Sequence, residues 1–100
     1  MLTREKITEL LRQSYPYLSS EFGVKRVGLF GSYQHGSANA SSDIDLVVEF
    51  ERPIGLRFVE LAEYLEGLFG KPVEILTPAG IEGIRNPRVA QDIEKSIVYV

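Results

Sequence analysis

Residues 28–50 read GLFGSYQHGSANASSDIDLVVEF, and two apolar runs in this stretch are separated by a glycine-serine corner and a polar loop. Val24–Phe30 (VKRVGLF) is short, rich in β-formers and bounded by Gly23 and Gly31, which predicts a strand. Asp43–Phe50 (DIDLVVEF) predicts a second strand. Between them, Gly31 to Gly36 opens on Gly-Ser and predicts a short helix or turn starting at Ser32. Residues 37–42 (SANASS) are small and polar, hence a loop.

Working outward, residues 4–20 predict a helix with Thr3 as N-cap. Ile7, Leu10, Leu11 and Leu18 fall on one face, and Glu5, Arg12 and Gln13 are left to solvent. Pro16 should kink or end its regular part, and Gly23 is a natural stop. After Pro53, a helix is predicted over about 55–69, where Phe58, Leu61, Ala62, Leu65 and Leu68 form an apolar face. Gly70-Lys71-Pro72 punctuates the chain. Residues 73–76 (VEIL) predict a third strand cut off by Pro78. Asn86 and Pro87 look like the cap and first residue of a last helix. Residues 97–100 (IVYV) predict a short final strand. The order implies an α/β (α+β) fold, one small sheet of three or four strands backed by helices.

The chain has 100 residues, enough for one domain over 1–100. Apolar residues make up 44% of it and charged residues 25%, values ordinary for a globular protein. No apolar run approaches the roughly 20 residues needed to cross a bilayer. Residues 1–5 have mixed charge and no apolar signal core, so a cytoplasmic location is expected. Cysteine is absent, which removes disulfides and thiolate metal sites. The net charge of −3 argues against a grip on nucleic acid.

Chemistry concentrates at two places. Asp43 and Asp45 flank Ile44 at the start of an otherwise apolar strand, although aspartate is a poor strand former. Side chains alternate along a strand, so both carboxylates point to one side, about 7 Å apart. Their repulsion is relieved by a hard divalent cation such as Mg²⁺, which takes one or two carboxylates together with phosphate oxygens. A solvated strand end with two idle aspartates is the plain alternative. Gly31-Ser32 is the second place: free N–H groups and a hydroxyl at a helix start suit phosphate oxygens. Ser32 as a simple N-cap is the plain alternative there. Four such residues at ordinary usage match by chance in a chain of this length roughly once in a thousand.

Phe30-Gly31-Ser32-Tyr33, Gly36 and Ser42-Asp43-Ile44-Asp45-Leu46 resemble the signature of the DNA polymerase β-like nucleotidyltransferases, specifically the minimal nucleotidyltransferases (MNT). The resemblance implies that family's palm fold and a two-metal phosphoryl-transfer site. Asp43 and Asp45 would bind two Mg²⁺ ions, and Gly31 and Ser32 would hold the β- and γ-phosphates of a nucleoside triphosphate, ATP in the nearest relatives. A third carboxylate on a neighbouring strand is also implied. Glu74 is the candidate, where the family more often has Asp. Glu49 is a weaker substitute, about 20 Å along the strand from Asp43. His35 could neighbour the phosphates, and Arg85 and Arg88 could form a basic spot. The plain reading of these positions, and the default one, is solvated surface.

The resemblance also implies a role. In such chains the transferase is an MntA-type antitoxin of a type VII toxin–antitoxin pair. It moves AMP from ATP to a tyrosine of a small helical HEPN-domain partner. Two alternatives stay open: a nucleotide-binding module that masks its partner without chemistry, and a transferase acting on a small hydroxylated molecule. Whether copies of the chain self-associate is left open.

Overall fold

Thr3 starts the first helix. Its side chain accepts the Lys6 N–H at 3.1 Å, and the computed structural model, which describes residues 2–100, carries α1 from Arg4 to Phe22. Gly23 closes α1 in the left-handed region, its N–H directed at the carbonyls of Leu18 and Ser19. Pro16 does not end the helix, which rules out one of the two outcomes expected from sequence, a kink or a stop. It lies on the exposed side, while Leu18 and Phe22 in the turns beyond it are buried. An interior proline costs about 3 kcal/mol, and burying two large apolar side chains returns about 1.5–3 kcal/mol each. Packing outweighs the local penalty.

The remaining elements are β1 (Val24–Phe30), α2 (Gly31–His35), β2 (Ile44–Phe50), α3 (Arg57–Phe69), β3 (Val73–Leu76), α4 (Pro78–Glu82), α5 (Pro87–Ser96) and β4 (Val98–Tyr99). The strands form one mixed sheet in the order β3-β2-β1-β4. β1 is antiparallel to both β2 and β4, whereas β2 and β3 run parallel. The last helix begins as its sequence implies, with the Asn86 side chain accepting the Arg88 N–H and Pro87 in the first turn. Among the described residues no helix is long and apolar enough to cross a membrane.

Sheet residues divide by alternation. Val27 and Leu29 of β1 and Ile44, Leu46 and Val48 of β2 pack with Ile7, Leu11, Leu18 and Phe22 of α1 and with Leu61, Leu65 and Phe69 of α3. On the other face, Phe30 and Val47 meet Ile81 of α4 and Ala90 of α5, joined by Leu76, Ile84, Ile93 and Ile97. Helices therefore cover part of both faces. The element missed from sequence is α4, whose cap is Thr77 accepting the Gly80 N–H, with Pro78 at its first position. The signal was present in two forms: Thr-Pro is a helix start, and three consecutive buried residues, Leu46-Val47-Val48, require cover on both sides of the sheet.

Aromatic residues sit mostly on the first face. Phe22 and Phe69 are buried, Tyr15, Phe58 and Tyr64 are half-buried, and Tyr17 lies over Tyr64 with ring centroids 4.8 Å apart. They belong to the α1–α3 core and its margin.

Leu46 is fully buried at the centre of the sheet. Its replacement by alanine should lower stability by about 2–5 kcal/mol, measured as a shift of the urea midpoint without a change in slope.

Candidate active site

Strand register brings two of the three carboxylates together. Phe30 of β1 stands opposite Asp45 of β2, and Asp45 in turn lies beside Glu74 of β3. Adjacent strands are about 4.8 Å apart, so the two acidic side chains project side by side from the same face. That face is the one covered by α4 and α5 further along, where Val47 and Leu76 are the next pair in register. Asp45 and Glu74 lie just past the end of this apolar cover. Asp45 is half-buried and Glu74 exposed.

Asp43 sits one residue before β2, which begins at Ile44 rather than at Asp43 as expected. The Ile44 N–H donates to the Pro72 carbonyl at 3.1 Å, so this junction is tied to the start of β3. Asp43 is exposed, and its charge acts on Asp45.

Gly31 forms the wall on the other side of Asp45. Its φ is +75°, and a β-carbon built there would fall on Oδ2 of Asp45 and within 2.9 Å of its Cγ. Only glycine fits, both for conformation and for space. The corner therefore brings the backbone of α2 directly against the carboxylate. The cap position of α2 is Phe30, which offers no side-chain cap bond. Ser32 is thus inside the helix and not its cap, and its hydroxyl makes no hydrogen bond among the described residues. The first N–H groups of a helix have no intrahelical partner, so α2 presents unfilled donors beside the carboxylates.

Electrostatics single these residues out. Burial, the hydrogen bond shared with Glu74, and the charges of Glu74 and Asp43 together push the Asp45 carboxyl up to about 6. Among the described residues Asp43, Asp45 and Glu74 have no ion-pair partner, whereas Glu21, Glu49 and Glu60 are each paired with Lys or Arg. Among the described residues Glu51, Glu63, Glu82, Asp92 and Glu94 are unpaired as well, and what sets the three apart is that Glu74 and Asp43 both act on Asp45, a repulsion that a cation would relieve. Among the described residues no three acidic or histidine side chains converge closely enough to form a ready metal cage. The donors fit Mg²⁺ nonetheless: they are all hard oxygens, and this ion keeps several waters and completes its shell with phosphate oxygens.

The other residues singled out from sequence lie elsewhere. Glu49 is in register with Arg26 and accepts from its Nε at 2.6 Å, with Lys25 at 4.0 Å. It is a neutralised residue near the far end of β2. His35 is exposed at the last position of α2, where it lines a cavity of about 310 Å³ with Arg4, Tyr33 and Ala38. The whole length of α2 separates it from Gly31. Arg85 and Arg88 are exposed.

Two outcomes follow from this geometry. Gly31→Ala should abolish nucleotide-dependent activity and lower stability by about 1–3 kcal/mol, read by turnover and by urea unfolding. The second concerns pH. The carboxyl of Asp45 is raised from an ordinary 3.8 to about 6 in the folded protein. The folded state therefore holds this proton more tightly than the unfolded state. Metal-free protein should lose melting temperature as pH rises from about 4 to about 6 and stay level above that. Asp45→Asn should remove this fall, and Mg²⁺ should offset it in the unsubstituted protein above pH 6, all measurable by thermal melting across pH 4–8.

Comparison with known proteins agrees with this geometry. Residues 11–100 match the nucleotidyltransferase domain family. The chain is 39% identical to protein adenylyltransferase MntA of Thermococcus cleftensis over 100% of its own length and 98% of the relative's. It is also 39% identical to a candidate protein adenylyltransferase of Methanocaldococcus jannaschii, over the full length of both. A solved candidate minimal nucleotidyltransferase superposes with a TM-score of 0.73 at 31% identity, covering 97% of this chain and 95% of that one. The same fold recurs at 24% identity in a toxin–antitoxin crystal structure with AMP-PNP, with a TM-score of 0.63 over 98% of this chain and 72% of that one. A carboxylate pair in register, a glycine-serine corner against it and near-complete coverage by these relatives lead to one assignment: the chain belongs to the nucleotidyltransferase domain family, as one of its minimal members.

Proposed function

We propose that this chain is a Mg²⁺-dependent protein adenylyltransferase. It transfers AMP from ATP to a tyrosine hydroxyl of a HEPN-domain toxin and so acts as the antitoxin of a type VII pair. The observation that carries this reading is the placement of Asp45 between Glu74 and the Gly31 corner, with Asp43 beside it and no basic side chain to neutralise them. The name of the Thermococcus cleftensis relative supports the choice of AMP and of a protein acceptor.

Asp43, Asp45 and Glu74 would hold Mg²⁺, which neutralises the triphosphate and the charge that develops during transfer. The N–H groups at the head of α2 and the Ser32 hydroxyl take oxygens of the β- and γ-phosphates. The acceptor oxygen bonds to the α-phosphorus while the bond to the β-phosphate bridging oxygen breaks, and pyrophosphate leaves with that electron pair. Glu74, on the outer strand and exposed, accepts the proton of the acceptor hydroxyl. Its extra methylene relative to aspartate extends its reach towards an incoming side chain.

The open side of the site explains the need for a partner. Asp43 and Glu74 both face solvent, so the chain by itself supplies one wall only. A folded acceptor protein completes the enclosure, excludes water and aligns its own hydroxyl.

The test is incubation of the purified chain with its HEPN partner, Mg²⁺ and α-labelled ATP. Label should appear on a partner tyrosine, and Asp43→Asn or Asp45→Asn should reduce it by about 100-fold or more, the scale of loss when one preorganised electrostatic group is taken from an active site. Tight association without label would instead identify a module that acts by masking. Label on a small hydroxylated molecule without partner would move the acceptor to that class.

A further inference from the structure

Four pieces of backbone carry the site: α2 with Ser32, the loop of residues 37–43 that ends in Asp43, β2 with Asp45, and β3 with Glu74. Within the loop, polar side chains hold the backbone in a compact turn. The Asn39 N–H donates to Ser42 Oγ at 3.0 Å, the Ser41 N–H to Asn39 Oδ1 at 2.9 Å, and the Ser42 N–H to the Asn39 carbonyl at 3.1 Å. These bonds shape the loop without fixing its place on the protein. Its first residue is tied back to α2, the Ser37 N–H donating to the Ser32 carbonyl at 2.9 Å. Beyond that point, Ala38 packs against the α1–α3 core, and one side chain of another element hydrogen-bonds to the loop among the described residues: Lys71, whose Nζ donates to the Ala40 carbonyl at 2.8 Å.

Lys71 is placed to do more than hold one carbonyl. It is half-buried, and its ammonium lies 5.6 Å from the centre of the Tyr33 ring, which is buried on α2 next to Ser32. A cation at that distance from an aromatic face is attracted to it. Lys71 also stands at the entry to β3, adjacent to Pro72, whose carbonyl receives the Ile44 N–H, and three residues before Glu74. One ammonium thus spans the helix that presents phosphate donors, the loop that delivers Asp43 and the strand that delivers Glu74.

We infer that Lys71 is a positioning residue for the transfer reaction, pinning the 37–42 loop between α2 and β3 so that Asp43 stands in register with Asp45 and Glu74. The inference rests on the reading of the three carboxylates as the metal site. Its mechanical part is independent of that reading. The exit of the loop at Asp43 is held by buried Ile44, whose N–H bonds to the Pro72 carbonyl, and Lys71 adds a tie to the middle of the loop that its own polar bonds do not supply. Misplacement of a reacting group by about 1 Å can cost 100-fold in rate, so a loosened loop should be felt mainly in turnover and in the Mg²⁺ requirement.

Lys71→Met keeps the aliphatic stem over Tyr33 and removes the charge and the donor, while Lys71→Arg keeps both. In metal-free protein, hydrogen exchange at the Asn39, Ser41 and Ser42 amides should quicken by about tenfold or more in Lys71→Met, with α1, α3 and β1 unchanged, as expected for a local opening. Lys71→Arg should stay close to the unsubstituted protein. In the transfer assay, Lys71→Met should lower kcat by about tenfold or more and raise the half-saturating Mg²⁺ concentration, with KM for ATP little changed. Unchanged loop exchange in Lys71→Met overturns the inference, as does an equal loss of activity in Lys71→Arg. If the unsubstituted chain transfers no label, the proposed reaction fails, and the exchange measurement still decides what Lys71 does.

Discussion

The central constraint in this molecule is electrostatic: a half-buried carboxylate is held beside a second one, with a third near by and no cation among the side chains to balance them. Burial, the shared hydrogen bond and the two neighbouring acidic groups raise the Asp45 carboxyl to about 6, a cost that a marginally stable small domain feels. The fold accepts that cost through main-chain pairing. Asp45 and Glu74 are neighbours because β2 and β3 pair in parallel register along their length, from Ile44 with Val73 to Val47 with Leu76. The apolar partners before and after the acidic pair, buried by α3 on one face and α4 and α5 on the other, hold the strands in that register. A one-residue slip would send the carboxylates into the α1–α3 core.

The glycine corner follows from the same crowding. With Asp45 pressed against the backbone at Gly31, there is no volume for a side chain, and the left-handed φ that turns β1 into α2 excludes one as well. The requirement is therefore double, and the turn does two things at once. It ends β1 beside the carboxylate and points the free donors of α2 along the same edge. Unfilled N–H donors and acidic oxygens become adjacent, which is the arrangement the proposed metal–triphosphate would need. Function and local strain share a cause here.

Burial divides the chain between stability and chemistry. The α1–α3 side of the sheet contains the larger apolar cluster and most of the aromatic residues. The opposite side is covered only in part, by two short helices meeting Phe30 and Val47. The open remainder is where the acidic residues stand. Glu49, on the same face but near the other end of β2, shows how an acidic side chain is treated where no cation is required: Arg26 and Lys25 neutralise it. Alternation along β2 places Glu49 and Asp45 on the same face, and the structure adds the company each keeps.

Much was legible before any coordinates. The boundaries of β1 and β3, the Thr3 and Asn86 caps, the stop at Gly23 and the carboxylates of the Asp-Ile-Asp segment follow from local rules, because alternation, capping and glycine conformations act over a few residues. The cover that α4 and α5 give the second face was not legible, since it depends on what packs there from far along the chain, although the Thr77-Pro78 start of α4 was itself written in the sequence. The same holds for the site. Residue types at 31, 32, 43 and 45 announce phosphate and metal chemistry by their pattern. The register of Glu74 with Asp45, and the closeness of Gly31 to Asp45, were decided by strand pairing between segments distant in sequence. Local preferences determine which groups the chain can offer, and long-range register determines which of them meet.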